Sequence, residues 1–158
     1  MLREAHGTEA AELTALALKS KAYWGYDAAF MQACQAELTI TSDDIRHHPT
    51  FVLEHDGAIA GFFTLEPLDQ TSIELGYLYV DPAMIGHGFG KQLFNHAGEV
   101  ARNLGFQRMM IQADPNAEAF YQAMGATTIS YTPSGSIAGR MLPWMEVDLV
   151  NSRQETGS

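Results

Sequence analysis

The sequence predicts one mixed α/β domain, and three observations support this. Its 158 residues suit a single compact domain, and 46% of them are hydrophobic. Two apolar, strand-like segments flank Asp56-Gly57, a dipeptide that is typical of a tight hairpin. A third long apolar segment is followed by a glycine-rich turn and a helix, which indicates a parallel crossover between strands.

The first third of the chain predicts a strand and two helices. The short strand spans Leu2 to Ala5, and Thr8 is a favourable N-cap for the first helix. Asp27 can cap a second helix that runs to about Leu38, and Thr41 to Arg46 form a turn or a short helix. Charges at both ends of the first helix complement its dipole. They are Glu9, Glu12, Lys19 and Lys21.

The rest of the domain predicts further strands and two more helices. The longer helix opens at the glycine-rich turn, and Gly105 is its C-cap. A shorter helix starts at Pro115 or Asn116 and ends at Gly125. We expect one domain over residues 1–150 and a polar tail over 151–158. The apolar face of the longer helix consists of Leu93, Ala97, Val100, Ala101 and Leu104. The strands span Phe51 to Glu54, Ala58 to Leu65, Ser72 to Val80, Met109 to Ala113, Thr127 to Tyr131 and Trp144 to Leu149.

Composition argues against several classes of function. The net charge is −10 with nine basic residues, which is too few to form a nucleic-acid-binding surface. That acidity suits a cationic partner such as an amine. We find no signal peptide and no membrane span, so a cytoplasmic location is expected. Cys34 is the single cysteine and is expected in the core, and the six histidines show no metal-ligand spacing.

The glycine-rich turn is a candidate anion site. Gly86, Gly88 and Gly90 lie between a strand and a helix, where backbone N–H groups and the helix dipole favour a phosphate. A merely tight turn is the alternative. The turn is not a Walker A loop, because Gln92 follows Gly90-Lys91, and its glycine spacing does not fit the dinucleotide fingerprint.

Two segments resemble the GCN5-related N-acetyltransferase (GNAT) superfamily. Ile85 to Gly90 is similar to its coenzyme A signature, although Ile85 replaces the usual Gln or Arg. The backbone amides that hold the pyrophosphate would be unaffected. Ala113 to Ala126 resembles a second family segment in all but detail. The resemblance covers roughly Phe51 to Leu149 and implies the family's fold, a mixed, mostly antiparallel sheet flanked by helices.

The resemblance implies two catalytic residues. Tyr121 would donate a proton to the departing thiolate, since a phenol is protonated at neutral pH. Glu74 would be the base, because a carboxylate in an apolar strand tends to have a raised pKa. Alternatively, Tyr121 is a core tyrosine, Glu74 is a solvated strand-end glutamate, or water removes the proton.

The resemblance also implies a set of coenzyme contacts. Backbone groups at the end of the third long strand would align the pantetheine arm and polarise the acetyl carbonyl. Asn116 would contact the pantetheine, or serve only as a helix N-cap. His87 and Lys91 would meet phosphates, or remain exposed polar residues. The full set is Leu78, Tyr79, Val80, Gly86, His87, Gly88, Phe89, Gly90, Lys91, Asn116, Phe120 and Tyr121.

The acceptor site would involve the connection between the first two helices and the last loop. Trp24 and Tyr26 would hold a cation or an apolar substrate body, although they could equally be core aromatics. Arg140, in a loop rich in Gly and Ser, would pair with a substrate carboxylate. A connecting loop without a role is the alternative.

The sequence therefore predicts an acetyl-CoA-dependent N-acetyltransferase acting on a primary amine, in a ternary complex with direct attack. The acceptor is expected to be a small molecule. We expect no metal, no nucleic acid and no membrane, and leave a homodimer open. The rival hypothesis is a catalytically silent acyl-CoA-binding sensor or interaction module. Thioester hydrolysis is a weaker third option.

Overall fold

A computed structural model describes residues 1–150; the predicted polar tail, residues 151–158, lies outside them. The α-helices are α1 (Ala10–Ala22), α2 (Ala28–Leu38), α3 (Ser42–His47), α4 (Phe89–Asn103) and α5 (Glu118–Ala123). The strands are β1 (Leu2–Glu4), β2 (Thr50–His55), β3 (Ala58–Pro67), β4 (Ser72–Val80), β5 (Arg108–Gln112), β6 (Thr127–Pro133) and β7 (Met141–Asp148). Short 3-10 turns precede α1, α4 and α5, at Gly7–Glu9, Pro82–Met84 and Pro115–Ala117.

The seven strands form one mixed sheet in the order β1-β2-β3-β4-β5-β7-β6. Neighbours are antiparallel except β4 and β5, which are parallel and joined through α4. This confirms the predicted mixed α/β fold and its crossover. The hairpin at Asp56-Gly57 is also confirmed, because both residues have the positive φ angles, 53° and 79°, of a type I′ turn.

Helices cover both faces of the sheet and define two hydrophobic cores. One lies beneath α4 and α5, and Leu93, Ala97 and Ala101 are fully buried there. The other lies beneath α1 and α2. It contains Cys34, which is 2% exposed, so the prediction that the cysteine is a core residue is confirmed.

Two local predictions were wrong. Thr8 is not the N-cap of α1, because it lies inside the 3-10 turn and the helix begins after Glu9. The Glu9 carboxylate accepts hydrogen bonds from Arg3 and from the His6 N–H, which fixes the chain there without a threonine cap. Leu104 does not face the core and is 54% exposed. α4 ends before it, and Phe106 packs against the core after the chain reverses.

The pairing of β4 with its two neighbours changes near Gly76. Thr64 of β3 pairs with Tyr77 but Leu65 pairs with Leu75, so Gly76 is the extra residue of a bulge. On the other side, β4 and β5 pair only from Ser72 to Glu74. The strands therefore separate beyond this point, and β4 presents an edge that β5 does not cover.

Gly61 allows α4 to approach β3 closely. A Cβ at this position would lie 2.7 Å from Leu93 Cδ1 and 2.8 Å from the Tyr79 carbonyl oxygen. The second atom is backbone, so it cannot move aside as a side chain would. A larger residue would collide with the β4 backbone and with the Leu93 side chain of α4, so the close packing at this position requires glycine.

We predict that Gly61→Ala lowers the free energy of unfolding by about 1–3 kcal/mol, because the added methyl group overpacks the contact between α4 and the sheet. The matched control is Gly98→Ala in α4, where a Cβ would meet only the Arg102 side chain at 3.8 Å or more. The control should be neutral or more stable by up to about 1 kcal/mol, since alanine favours helix. Urea denaturation measures the free energy of unfolding of both variants. Equal values for the two variants would show that Gly61 is not a position of close packing.

Candidate active site

A cavity of about 450 Å³ opens where β4 and β5 separate. It is lined by the second half of β4, the end of β5, the glycine-rich turn, the end of α1 and the start of α5. The β4 wall of the cavity includes Leu78, Tyr79 and Val80. This placement agrees with the expectation that their backbone groups meet a ligand. The cavity thus adjoins the β4 edge that β5 leaves uncovered.

The glycine-rich turn presents the N-terminus of α4 to this cavity. Gly86 and Gly88 have φ angles of 98° and 74°, and a Cβ built on either one meets open space. The positive φ angles, and not a shortage of space, therefore favour glycine at these two positions. Gly88 is the N-cap of α4 and offers no side chain to its first N–H groups. Those donors and the helix dipole favour an anion there.

The other residues near this turn that were predicted to contact the coenzyme do not all line the cavity. Lys91 lines the cavity and lies in the first turn of α4. Phe89 is buried and Phe120 packs against Gly90, whose Cβ would lie 3.4 Å from the ring. His87 is exposed, and its Nδ1 lies 3.0 Å from the Met84 carbonyl oxygen. It is not among the residues that line the cavity.

Tyr121 is buried in α5 and lines the cavity. Its ring packs against Phe94 and Phe120, with centroids 6.0 Å and 5.2 Å away. Its hydroxyl has no hydrogen-bond partner among the described residues. Burial, with a contribution from the Asp114 charge, raises the pKa of Tyr121 well above its ordinary value. The hydroxyl therefore stays protonated and is available to a ligand.

Glu74 is half-buried on β4, two residues before the bulge, and pairs across the strands with Glu66. Burial raises the pKa of its carboxyl, and the charge of Glu66 adds to this. The expectation of a raised pKa is confirmed. However, Glu74 is not among the residues that line the cavity.

Five polar residues from distant parts of the chain meet beside the cavity, and we call them the Asp114 network. The Asp114 carboxylate lies 2.5 Å from Lys21 Nζ and 3.3 Å from Arg140 Nη2. It also accepts a hydrogen bond of 2.9 Å from the Tyr26 hydroxyl, which in turn accepts from Asn116 and Arg140. Burial would raise the pKa of Asp114, but its partners, Lys21 above all, lower it below its usual range.

The two aromatic residues predicted to hold the acceptor differ, because Tyr26 belongs to the Asp114 network and Trp24 does not. Burial and the Asp114 charge raise the pKa of Tyr26 to about 12, so its hydroxyl remains a donor. Its ring packs against the protein's own cations, with Lys21 Nζ 5.5 Å and Arg140 Cζ 5.2 Å from the centroid. Trp24, by contrast, is 46% exposed and lines the cavity directly.

Sequence reasoning missed Lys21 and Asp114 as site residues. Lys21 had the appearance of a lysine that complements a helix dipole, yet its side chain is 11% exposed. Asp114 also caps the 3-10 turn before α5, accepting from the Asn116 N–H, which is the cap role considered for Asn116 itself. Lys21 and Asp114 are 93 positions apart, so no local pattern could have joined them.

Two features are absent from residues 1–150, a metal-binding group and a membrane-spanning helix. These residues contain no group of three or more His, Cys, Asp or Glu side chains that could hold a metal ion. Nor do they include a helix with the length and apolar character needed to cross a bilayer.

The mixed sheet, with helices on both faces and with β4 and β5 diverging beside a glycine-rich helix start, has the fold of acyl-CoA N-acyltransferases. The model of the acetyltransferase (GNAT) family matches residues 17–126, so this chain belongs to that family. The N-acetyltransferase YjgM of Escherichia coli is 32% identical over 90 residues, which is 53% of this chain and 54% of that protein. The mycothiol acetyltransferase of Beutenbergia cavernae is 29% identical over 136 residues, which is 82% of this chain and 46% of that protein. The chain therefore spans about half the length of these curated relatives.

Solved structures share the fold at low sequence identity. PaiA N-acetyltransferase from Thermoplasma acidophilum, in complex with coenzyme A, has a TM-score of 0.77 and 19% identity, covering 94% of this chain and 98% of that one. YncA from Salmonella typhimurium, with acetyl-CoA, has a TM-score of 0.67 and 21% identity, covering 94% and 93%. A GCN5-related N-acetyltransferase from Rhodopseudomonas palustris reaches 0.75 at 21% identity, covering 94% of each.

We predict that Glu74→Gln stabilises the protein at neutral pH. The folded-state pKa of Glu74 is raised, so the stability that its neutral form confers is present below the unfolded pKa of about 4.3 and is lost as pH rises through the folded pKa. Glutamine is neutral throughout. The gain should be about 0.5 kcal/mol at pH 7, since partial exposure screens the charge, and should vanish near pH 4.

Denaturant titrations of both proteins from pH 4 to pH 8 measure this difference. The control is Glu12→Gln, an exposed carboxylate in the first turn of α1, which should show no such gain. A stability difference that does not change with pH would show that Glu74 is solvated in the folded protein.

Proposed function

We propose that this chain transfers the acetyl group of acetyl-CoA to an amine by direct attack in a ternary complex. One observation carries the proposal: the helix N-terminus at the glycine-rich turn lines the same cavity as Tyr121, whose hydroxyl has no hydrogen-bond partner within residues 1–150. The first suits the phosphates of a coenzyme, and the second suits a departing thiolate. Family membership supports the same class of reaction.

The residues around the cavity fit a coenzyme A thioester. The N–H groups at the start of α4, with the charge of Lys91, would hold the phosphates. The β4 edge formed by Leu78, Tyr79 and Val80, which β5 leaves uncovered, would bind the pantetheine arm as a neighbouring strand would. Backbone groups of the same edge would polarise the acetyl carbonyl. Asn116 would contact the arm from the opposite wall.

The chemistry needs one base and one acid. The amine nitrogen, once it has lost its extra proton, forms a bond to the carbonyl carbon, and the carbon–sulfur bond breaks. Tyr121 donates its hydroxyl proton to the sulfur, so free thiol leaves. As the amide forms, the nitrogen releases its second proton, and a proton from solvent restores the phenol. Its raised pKa keeps the hydroxyl protonated but makes it a weaker acid, so its contribution should be modest.

Glu74 is our proposed base, and it would act through water. Its raised pKa suits the acceptance of a proton from an ammonium group. Because Glu74 does not line the cavity, a water molecule would relay the proton from the acceptor. On the acceptor side, Trp24 would form the exposed wall against which the substrate packs.

We predict that Gly88→Asp weakens acetyl-CoA binding at least about tenfold, a loss of about 1.4 kcal/mol or more. The new carboxylate would repel the phosphates and compete for the N–H groups of α4. The matched control is Gly105→Asp at the other end of α4, which has a similar φ of 94° and equally open space. It carries the same backbone strain away from the cavity and should bind normally. Calorimetry measures both, and equal affinities would refute the coenzyme site.

We predict that Tyr121→Phe lowers kcat by about 10²-fold, at the low end of the range for a positioned general acid. The ring and its packing remain, so the KM for acetyl-CoA should change little. Release of free thiol, followed over a panel of amines, measures turnover. An acyl donor with a better leaving thiolate should be less sensitive to the substitution.

The control for this variant is Tyr131→Phe, which removes an exposed hydroxyl of the edge strand β6 that donates to Glu118 of α5. It should leave kcat unchanged. If Tyr121→Phe retains the wild-type kcat on both donors, Tyr121 only packs the core. If the wild-type protein binds acetyl-CoA but releases no thiol with any amine, it is the silent binding module.

A further inference from the structure

The Asp114 network carries an excess of positive charge beside the cavity. One carboxylate, Asp114, faces two cations, Lys21 and Arg140, and its other partners, Tyr26 and Asn116, are uncharged. The sum is one positive charge. This contrasts with the whole chain, whose net charge is −10.

This charge is largely withdrawn from water. The side chains of Lys21, Asp114 and Arg140 are 11%, 11% and 16% exposed. A cation in such a position is costly unless an anion pairs with it. A lysine side chain has three N–H donors and an arginine side chain five, yet within residues 1–150 the Lys21 side chain donates only to Asp114, and the Arg140 side chain donates only through Nη2. Donors therefore remain for a ligand.

Lys21 is the cation that meets the cavity. It lines the wall together with Asp114 and Asn116, whereas Arg140 does not. Arg140 instead packs over the rings of Tyr26 and Phe30, 5.2 Å and 4.8 Å from their centroids, and shares the Asp114 carboxylate. Because Lys21 and Arg140 share the single carboxylate of Asp114, the two cations together lack one counterion, and Lys21 is the one that meets the cavity.

We propose that the acceptor is an amine that also bears a carboxylate, such as an amino acid, and that Lys21 binds this carboxylate. Arg140 is a positioning residue that acts through Asp114. The inference rests on the proposed function, since it names the class of acceptor for that reaction. A nearby positive charge would also favour the neutral, nucleophilic form of the acceptor nitrogen. Polyamines offer no anion to this charge and would be poor acceptors.

The test compares amino acids with their primary amides, which keep the amine and the side chain but lose the negative charge. Thiol release gives kcat/KM for each pair, expressed per free amine because the amides are less basic. We expect the best amino acid to exceed its amide by about 10- to 100-fold, the size expected for a hydrogen bond to a charged group. The difference should lie mainly in the KM for the acceptor.

Two variants bring the network to zero net charge by different routes. Lys21→Met removes the contact, and Arg140→Gln removes the cation that balances Asp114. Both should bring the ratio of acid to amide towards one, although only Lys21 lines the cavity. Tyr26→Phe breaks the hydrogen bonds of the network but keeps its charge, so it should retain the preference. Arg46→Gln, an exposed residue of α3, is the activity control.

Heat stability and acetyl-CoA binding by calorimetry show whether each variant is folded. If Lys21→Met is not, Arg140→Gln carries the test alone. The inference would be overturned if amides or polyamines were used as well as amino acids, or if a folded Arg140→Gln variant kept the preference for acids. Either result would leave the acetyltransferase function standing. Absence of thiol release with every acceptor, despite bound coenzyme, would refute both.

Discussion

The site depends on the interruption of pairing between β4 and β5. Parallel pairing ends at Glu74, and the bulge at Gly76 redirects β4 immediately beyond it. A continuous sheet would satisfy its backbone groups internally and leave no edge for a ligand. The interruption instead opens a cavity between two strands whose positions are fixed by the rest of the sheet. Under the proposed function, a thioester would therefore meet backbone and side chains that are already held in place.

Helix α4 gives this opening a second fixed boundary. Its N-terminus lies at the glycine-rich turn, while Leu93 packs against Gly61 and thereby against the sheet. Its most buried residues recur every four positions, so one face is anchored along most of its length. The anion-binding end of the helix is thus rigidly related to the β4 edge. This relation lets one ligand contact both without reorganising the fold.

Local patterns predicted the elements and the glycine-rich turn well, because those features depend on near neighbours. The hairpin at Asp56-Gly57 and the cap at Asp27 are of this kind. The prediction that Thr8 caps α1 was wrong because Arg3, from another element, already binds Glu9. The Asp114 network could not be predicted, since a lysine at the end of a helix and an aspartate before a proline each have an adequate local explanation.

The two halves of the site also differ in chain connectivity. The glycine-rich turn joins consecutive elements, whereas the contacts between Asp114 and Lys21, and between Arg140 and Tyr26, span 93 and 114 positions. Contacts of such separation require the closure of long loops, which is slow and costs entropy. During folding, then, the proposed coenzyme half can form early, but the proposed acceptor half is complete only when the last loop has docked. The chain would thus gain the proposed anion site before it gains the wall proposed to select an amine.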